Sequence, residues 1–280
     1  MTHTTILSSV TFVYFASFVF YLFRTVLGRE FWGRLATATA WGGLAAQTLA
    51  LLLRWKASYD LGIGHAPLSN LYESMVFFAW AVIFLYLLLE WRTANKTIGT
   101  FVVPVAFIAM AYASIDPGMN EHIQPLIPAL QSNWLTSHVV TCFLGYAGFT
   151  IAFGCGLIFF TKTLSGGNIE KTAGWTARLP SFANLDMLIY QSTALGFIFL
   201  TMGIMTGSVW AHYAWGSYWS WDPKETWSLV TWIIYAIMLH ARLVRGWRSK
   251  KMALMSVIGF ASVLFTYLGV NYLPGLHSYL

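Results

Sequence analysis

Residues 134–161 read WLTSHVVTCFLGYAGFTIAFGCGLIFFT. No Asp, Glu, Lys or Arg interrupts these 28 residues. A helix rises about 1.5 Å per residue, so roughly 20 such residues cross a hydrocarbon layer about 30 Å thick. The stretch therefore predicts a membrane-spanning helix. Its one imidazole, His138, falls about one turn inside one end.

Seven further stretches read the same way: roughly 5–26, 33–53, 70–90, 98–115, 186–208, 225–243 and 252–273. Asn70 and Glu73 make the boundary near 70 the least sharp. The chain is 58% apolar and only 9% charged, against about 25% charged in ordinary soluble domains. It has too little polar surface for a soluble fold of 280 residues. The predicted fold class is all-α: a polytopic integral membrane protein of about eight transmembrane helices, forming a single membrane domain over 1–280. No internal repeat or low-complexity segment is evident. The first apolar run lacks a basic leader and a small-residue cleavage site, so it reads as a retained span.

Charge then sets direction. One set of connections holds Arg24, Arg29, Arg34, Arg92, Lys96, Lys162, Lys171, Arg178, Arg242, Arg245, Arg248, Lys250 and Lys251, thirteen of the sixteen Lys and Arg residues. The alternate set holds only Arg54, Lys56 and Lys224. Positive residues mark the cytoplasmic side, which places both termini outside, on the periplasmic or lumenal face. This distribution also accounts for the net charge of +6 without a nucleic-acid partner, since no basic stripe with interleaved aromatics is present. The two cysteines, Cys142 and Cys155, form no C-x-x-C and read as small buried side chains.

Between spans six and seven lies WGSYWSWDPKETW, residues 215–227. The charge count puts this Trp-rich loop, taken as 209–227, on the external side. Asp222, Pro223 and Glu225 read as an N-cap, a first helical position and a capping box. Capping leaves the aromatics unexplained. Trp210, Trp215, Trp219, Trp221 and Trp227 crowd one segment, with Tyr218 among them, whereas an interfacial belt spreads its aromatics around the circumference. Clustered indoles suit a large planar ligand, and haem is the obvious one at a membrane surface.

Haem iron takes axial imidazoles. His3, His65, His122 and His212 read as tail, loop or interfacial residues, with His212 near the tryptophans. His138 and His277 share the predicted depth of the tryptophan loop, so they are the candidate external axial pair. His240 lies eighteen residues after Asp222, roughly 27 Å along a helix. It belongs near the opposite face, either as a hydrogen-bonded packing residue or as ligand to a second haem completed by another chain.

WGSYWSWDPKETWSLVTWIIYAIMLHAR at 215–242, APLSNLYES at 66–74, LQSNWLTSHVVTCFLGYA at 130–147 and GVNYLPGLHSYL at 269–280 resemble the CcsA/ResC family of system II cytochrome c biogenesis, the WWD-domain haem-handling proteins. The resemblance runs from about residue 41 to the end and departs from the family at His212, where the family has an uncharged polar residue such as Asn. It implies that His138 and His277 ligate external haem iron and that His240 is the transmembrane haem ligand. Its partner ligand would come from a ResB-type subunit. It implies haem b as the bound substrate, with Trp215, Tyr218, Trp219, Trp221, Asp222 and Trp227 around it. It further implies an apocytochrome c (CxxCH) partner and a place in a haem lyase (synthase) complex in a bacterial plasma membrane or thylakoid membrane. A haem transporter without attachment activity, and a b-type electron-transfer protein, are the alternative functions.

Overall fold

In a computed structural model, residues 2–116, 119, 121–165 and 174–275 are described. Among them are eight helices: α1 (His3–Leu27), α2 (Glu30–Asp60), α3 (Leu71–Thr93), α4 (Gly99–Ile115), α5 (Asn133–Leu164), α6 (Phe182–Trp215), α7 (Pro223–Arg245) and α8 (Lys250–Tyr267). All eight, α4 together with the 3-10 turn before it, are long and apolar enough to cross a membrane. No strand occurs among the described residues. The all-helical fold and the number of spans agree with the sequence reading.

Helices α2 and α6 outrun their expected bounds the most. The expectation for α2 stops at 53, where Arg54 interrupts the apolar run, yet the helix continues to Asp60. Arg54 does not end the helix because its charge is answered. Its Nε sits 2.8 Å from Glu73 Oε1, and both side chains are only 1% exposed. α6 runs on to Trp215, so Trp210 and His212 are helical and the non-helical part of the tryptophan segment shrinks to 216–222. The stop is Gly216, at φ 78°, whose N–H donates to the His212 carbonyl at 2.9 Å. A left-handed glycine just past the last turn is the common way to close a helix.

The chain divides into two compact units, Met1–Pro125 with Ile158–Ser181, and Leu126–Leu157 with Phe182–Leu280. In the first, polar side chains between the helices satisfy one another, as they must where no water reaches. Tyr14 donates to Gln47 Oε1 at 2.5 Å, and Gln47 donates to the Val76 carbonyl at 2.8 Å. The Glu90 carboxylate accepts from Tyr21 at 2.5 Å, from Tyr86 at 2.6 Å and from Thr37. Around the buried Arg54–Glu73 pair, Arg54 Nη1 donates to the Glu121 carbonyl at 2.7 Å, and Ser69 gives both its N–H and its hydroxyl to Glu73 Oε2 at 2.8 Å. The connection 61–70 and the segment 121–125 are thereby tied to α2 and α3. His65 is buried in this same region, with Nδ1 2.8 Å from the Ala66 carbonyl and Nε2 3.0 Å from the Gln124 carbonyl.

The second unit is built on close backbone approach. Gly145 and Gly148 of α5 face Gly196 of α6. A Cβ on Gly148 would lie 3.0 Å from the Gly196 Cα, and one on Gly145 would lie 3.0 Å from the Gly196 carbonyl oxygen. Small residues at such crossings let helices pack without side chains between them. Aromatics fill the remaining layer. Phe149 stacks on Tyr235 at 3.5 Å with 3° between planes, and Phe153 on Phe260 at 4.4 Å. Trp232 donates to Thr201 at 2.9 Å, and Arg242 pairs with Asp186 at 2.6 Å. These contacts tie α7 to α5 and α6, and α8 to α5, and so set the frame for the tryptophan segment.

Candidate functional site

His138 sits in the second turn of α5. Its Nδ1 lies 2.7 Å from the backbone carbonyl oxygen of Gly203 on α6. A carbonyl can only accept, so Nδ1 carries the hydrogen and Nε2 keeps its lone pair. This is the tautomer of a metal-ligating histidine held by a backbone carbonyl behind it. The approach that makes the bond depends on two glycines. A Cβ at Gly207 would come within 2.5 Å of His138 Nδ1 and 2.7 Å of its Cε1, and one at Gly203 within 2.5 Å of Cys142 Sγ. Gly203 and Gly207 form a G-x-x-x-G on α6, and that spacing is the sequence signal that would have located the wall behind the imidazole.

Trp210 lies over the same ring. Its indole and the His138 imidazole have centroids 6.0 Å apart and planes within 16°. Trp210 is buried, and its Nε1 donates to the Ala129 carbonyl at 2.8 Å, so the indole is pinned. Trp215 meets it edge-on at 4.8 Å. The sequence-predicted His138 and Trp215 are thus joined through Trp210, which composition alone could not separate from interfacial packing.

Beyond Gly216 the loop is organised by carboxylates. The predicted capping box is present. Asp222 accepts from the Lys224 N–H at 3.0 Å, and Glu225 Oε2 accepts from the Asp222 N–H at 3.3 Å. Glu225 Oε2 also takes the Ser220 N–H at 2.7 Å and the Ser220 hydroxyl at 3.1 Å. Both acids are therefore occupied in shaping the chain. The turn forces Trp221 to φ 59°, a left-handed conformation unusual for a bulky residue, and leaves its ring 69% exposed. Trp219 and Trp221 stand perpendicular, at 88° and 5.7 Å. The aromatics form a corner rather than one flat sheet. Trp219 Nε1 is buried and has no hydrogen-bond acceptor among the described residues.

The other predicted residues make these contacts. Tyr218 stacks on His212 at 4.2 Å with 6° between planes, and both are exposed. Trp227 packs on Phe265 of α8 at 4.2 Å, and its carbonyl accepts from Thr266. His240 is exposed on α7, in line with exposed Ile233, Ile237 and Val244. Its side chain turns away from the packed interior of its unit. His277 lies outside the described residues, but Gly275, two positions before it, is described. A Cβ there would meet Asp222 Oδ2 at 2.5 Å. No cluster of three or more His, Cys, Asp or Glu able to hold a bare metal ion occurs among the described residues. The donor set instead fits a metallomacrocycle, which brings its own equatorial ligands. It offers one oriented imidazole, a wall of indoles and an indole N–H lacking an acceptor.

Residues 68–277 match the family described as Cytochrome C assembly protein, a range that holds His138, the tryptophan segment, His240 and His277. The chain is similar to proteins named Cytochrome c biogenesis protein CcsA. It is 45% identical to that of Chlamydomonas reinhardtii over 237 residues, covering 82% of this chain and 64% of the relative. It is 39% identical to that of Pyropia yezoensis, covering 88% and 87%, and 37% identical to that of Chlorella vulgaris, covering 97% and 94%. Among solved structures, Cytochrome c Heme Lyase CcmF aligns with a TM-score of 0.73 at 18% identity, over 95% of this chain and 47% of that one. At that identity the likeness is one of fold, and this chain spans about half the length of that protein.

Proposed function

The chain belongs to the Cytochrome C assembly protein family, and from that premise we propose that it is the haem-handling subunit of a system II cytochrome c synthase. The observation that carries this reading is the His138 tautomer. The Gly203 carbonyl takes the Nδ1 hydrogen at 2.7 Å, so Nε2 is held ready as an axial donor with no proton to lose.

The chain's own residues divide the work. His138 Nε2 and His277 supply the external axial pair, and the contact of Gly275 with Asp222 supports bringing the C-terminal segment to the tryptophan segment. Trp210 and Trp215 shield the imidazole, while Trp219, Trp221 and Tyr218 line the approach. Exposed His240 serves a second haem position whose other ligand comes from a ResB-type partner. An imidazole on the outer face of α7 suits a ligand shared between chains. Bound haem b supplies the vinyl groups to which the two thiols of a C-x-x-C-H apocytochrome add, each S–H crossing one C=C to leave a thioether. No side chain here need act as a nucleophile, since the thiols belong to the apocytochrome, and orientation is the chain's catalytic contribution. The membrane is a bacterial plasma membrane or a thylakoid membrane.

The test is a visible spectrum of the purified chain, with and without the ResB-type partner, for wild type and for His138→Ala, His277→Ala and His240→Ala. Each variant is expected to lose haem or to show an altered Soret band. Wild-type content and absorption in all three would refute the ligand assignments. A complex that holds haem yet leaves a C-x-x-C-H reporter unmodified would assign transport without attachment.

A further inference from the structure

Lys224 opens α7 beside the tryptophan corner. Among the Lys and Arg residues of the second unit it alone lies at this end. Arg242, Arg245, Arg248, Lys250 and Lys251 all fall at or beyond the other end of α7. An ammonium has three N–H donors. Among the described residues, that of Lys224 makes one hydrogen bond, to Asn271 Oδ1 at 2.8 Å. Asn271 is itself fixed, donating from Nδ2 to the Tyr267 carbonyl at 3.1 Å. No carboxylate lies within ion-pair distance of Lys224 among the described residues. The neighbouring acid, Asp222, uses Oδ1 on the Lys224 backbone N–H, has Oδ2 close to Gly275, and is near enough to act on the ammonium as a charge without forming an ion pair.

Five positions earlier, Trp219 Nε1 is a buried donor with no acceptor among the described residues. A buried donor without a partner is costly and rare. One segment thus presents a cation with spare N–H groups and an orphaned indole N–H, at the end of the unit that carries His138. Each can donate to an oxygen of an anion.

We propose that Lys224 and Trp219 Nε1 form the carboxylate subsite of this site, receiving a propionate of the porphyrin and so fixing which edge of the macrocycle faces outward. The inference rests on the haem reading above and adds orientation to it. Two imidazoles along one axis leave a ring free to rotate about that axis. A carboxylate anchored at Lys224 removes that freedom and sets where the vinyl edge points.

The test uses the full chain with its partner subunit in nanodiscs, titrated with hemin and with hemin dimethyl ester, read by tryptophan quenching and the Soret band. Wild type is expected to bind the diacid about tenfold more tightly than the ester, the size of one charge-assisted hydrogen-bonded contact. Lys224→Gln and Trp219→Phe should each bring the two affinities to within about threefold, while Lys224→Arg keeps the preference. The preference should shrink as salt rises towards about 1 M. Equal binding of acid and ester by wild type, or an undiminished preference in Lys224→Gln, overturns this inference and leaves the haem reading in place. Binding of neither porphyrin by wild type overturns both.

Discussion

Replacing Gly207 by alanine would put a methyl carbon 2.5 Å from Nδ1 and 2.7 Å from Cε1 of His138. Unstrained heavy atoms in contact stand about 3.5 Å apart, so the ring must retreat by about 1 Å. Helix α6 cannot easily absorb that shift, because three residues of one of its faces already touch α5 through glycine. A 1 Å retreat lengthens the 2.7 Å bond to the Gly203 carbonyl to about 3.7 Å, past the range in which it counts as a hydrogen bond. The imidazole then loses both its tautomer lock and its aim. Loss of such a supporting contact behind a metal ligand lowers affinity by roughly 10- to 100-fold. The assay is a haem titration of Gly207→Ala by Soret absorbance, alongside thermal unfolding in the same detergent. Gly42→Ala, whose new Cβ meets nothing within 4 Å, is the control and should match wild type. Wild-type haem affinity and an unchanged Soret position in Gly207→Ala would refute the argument that Gly203 and Gly207 position His138.

Arg54→Leu leaves Glu73 buried without its cation and should destabilise the chain by about 3–5 kcal/mol, whereas Arg54→Leu with Glu73→Leu should recover most of that loss; thermal shift in detergent measures both, and an undisturbed single variant would contradict the pairing. Trp221→Asn relieves a bulky side chain held at φ 59°, because Asn tolerates the left-handed region. The apo chain should stay as stable or gain up to about 1 kcal/mol, while haem retention falls. A drop in stability would mean that Trp221 supports the fold rather than the ligand.

The eight spans were legible because a bilayer demands long apolar runs, and residues 134–161 announce one without ambiguity. Their ends were less so. Whether Arg54 breaks α2 depends on Glu73, nineteen residues on, and local hydropathy carries no record of that partner. The capping box at Asp222 and Glu225 was readable because every participant is local. His138 was identifiable as a residue but not as a tautomer, since the deciding carbonyl belongs to Gly203, sixty-five positions away. Residue type also could not sort the tryptophans. Trp210 seals the imidazole and Trp227 packs on Phe265, though both sit in the same aromatic run. The exposure of His240 is set by how α6, α7 and α8 pack, and lipid-facing helices show no polar stripe from which that phase might be read.

The glycine contacts of α5 with α6 have a consequence for how this sequence can change over time. Glycine is the smallest residue, so every substitution at 145, 148 or 196 adds volume, and none can be offset by shrinking the residue opposite where that residue is also glycine. Drift along this seam is a one-way ratchet towards separation of the helices. Ordinary cores wander by trading a large side chain for a small one across a contact, but that exchange is closed here. The glycine crossing of α5 with α6 has no neutral neighbours to visit.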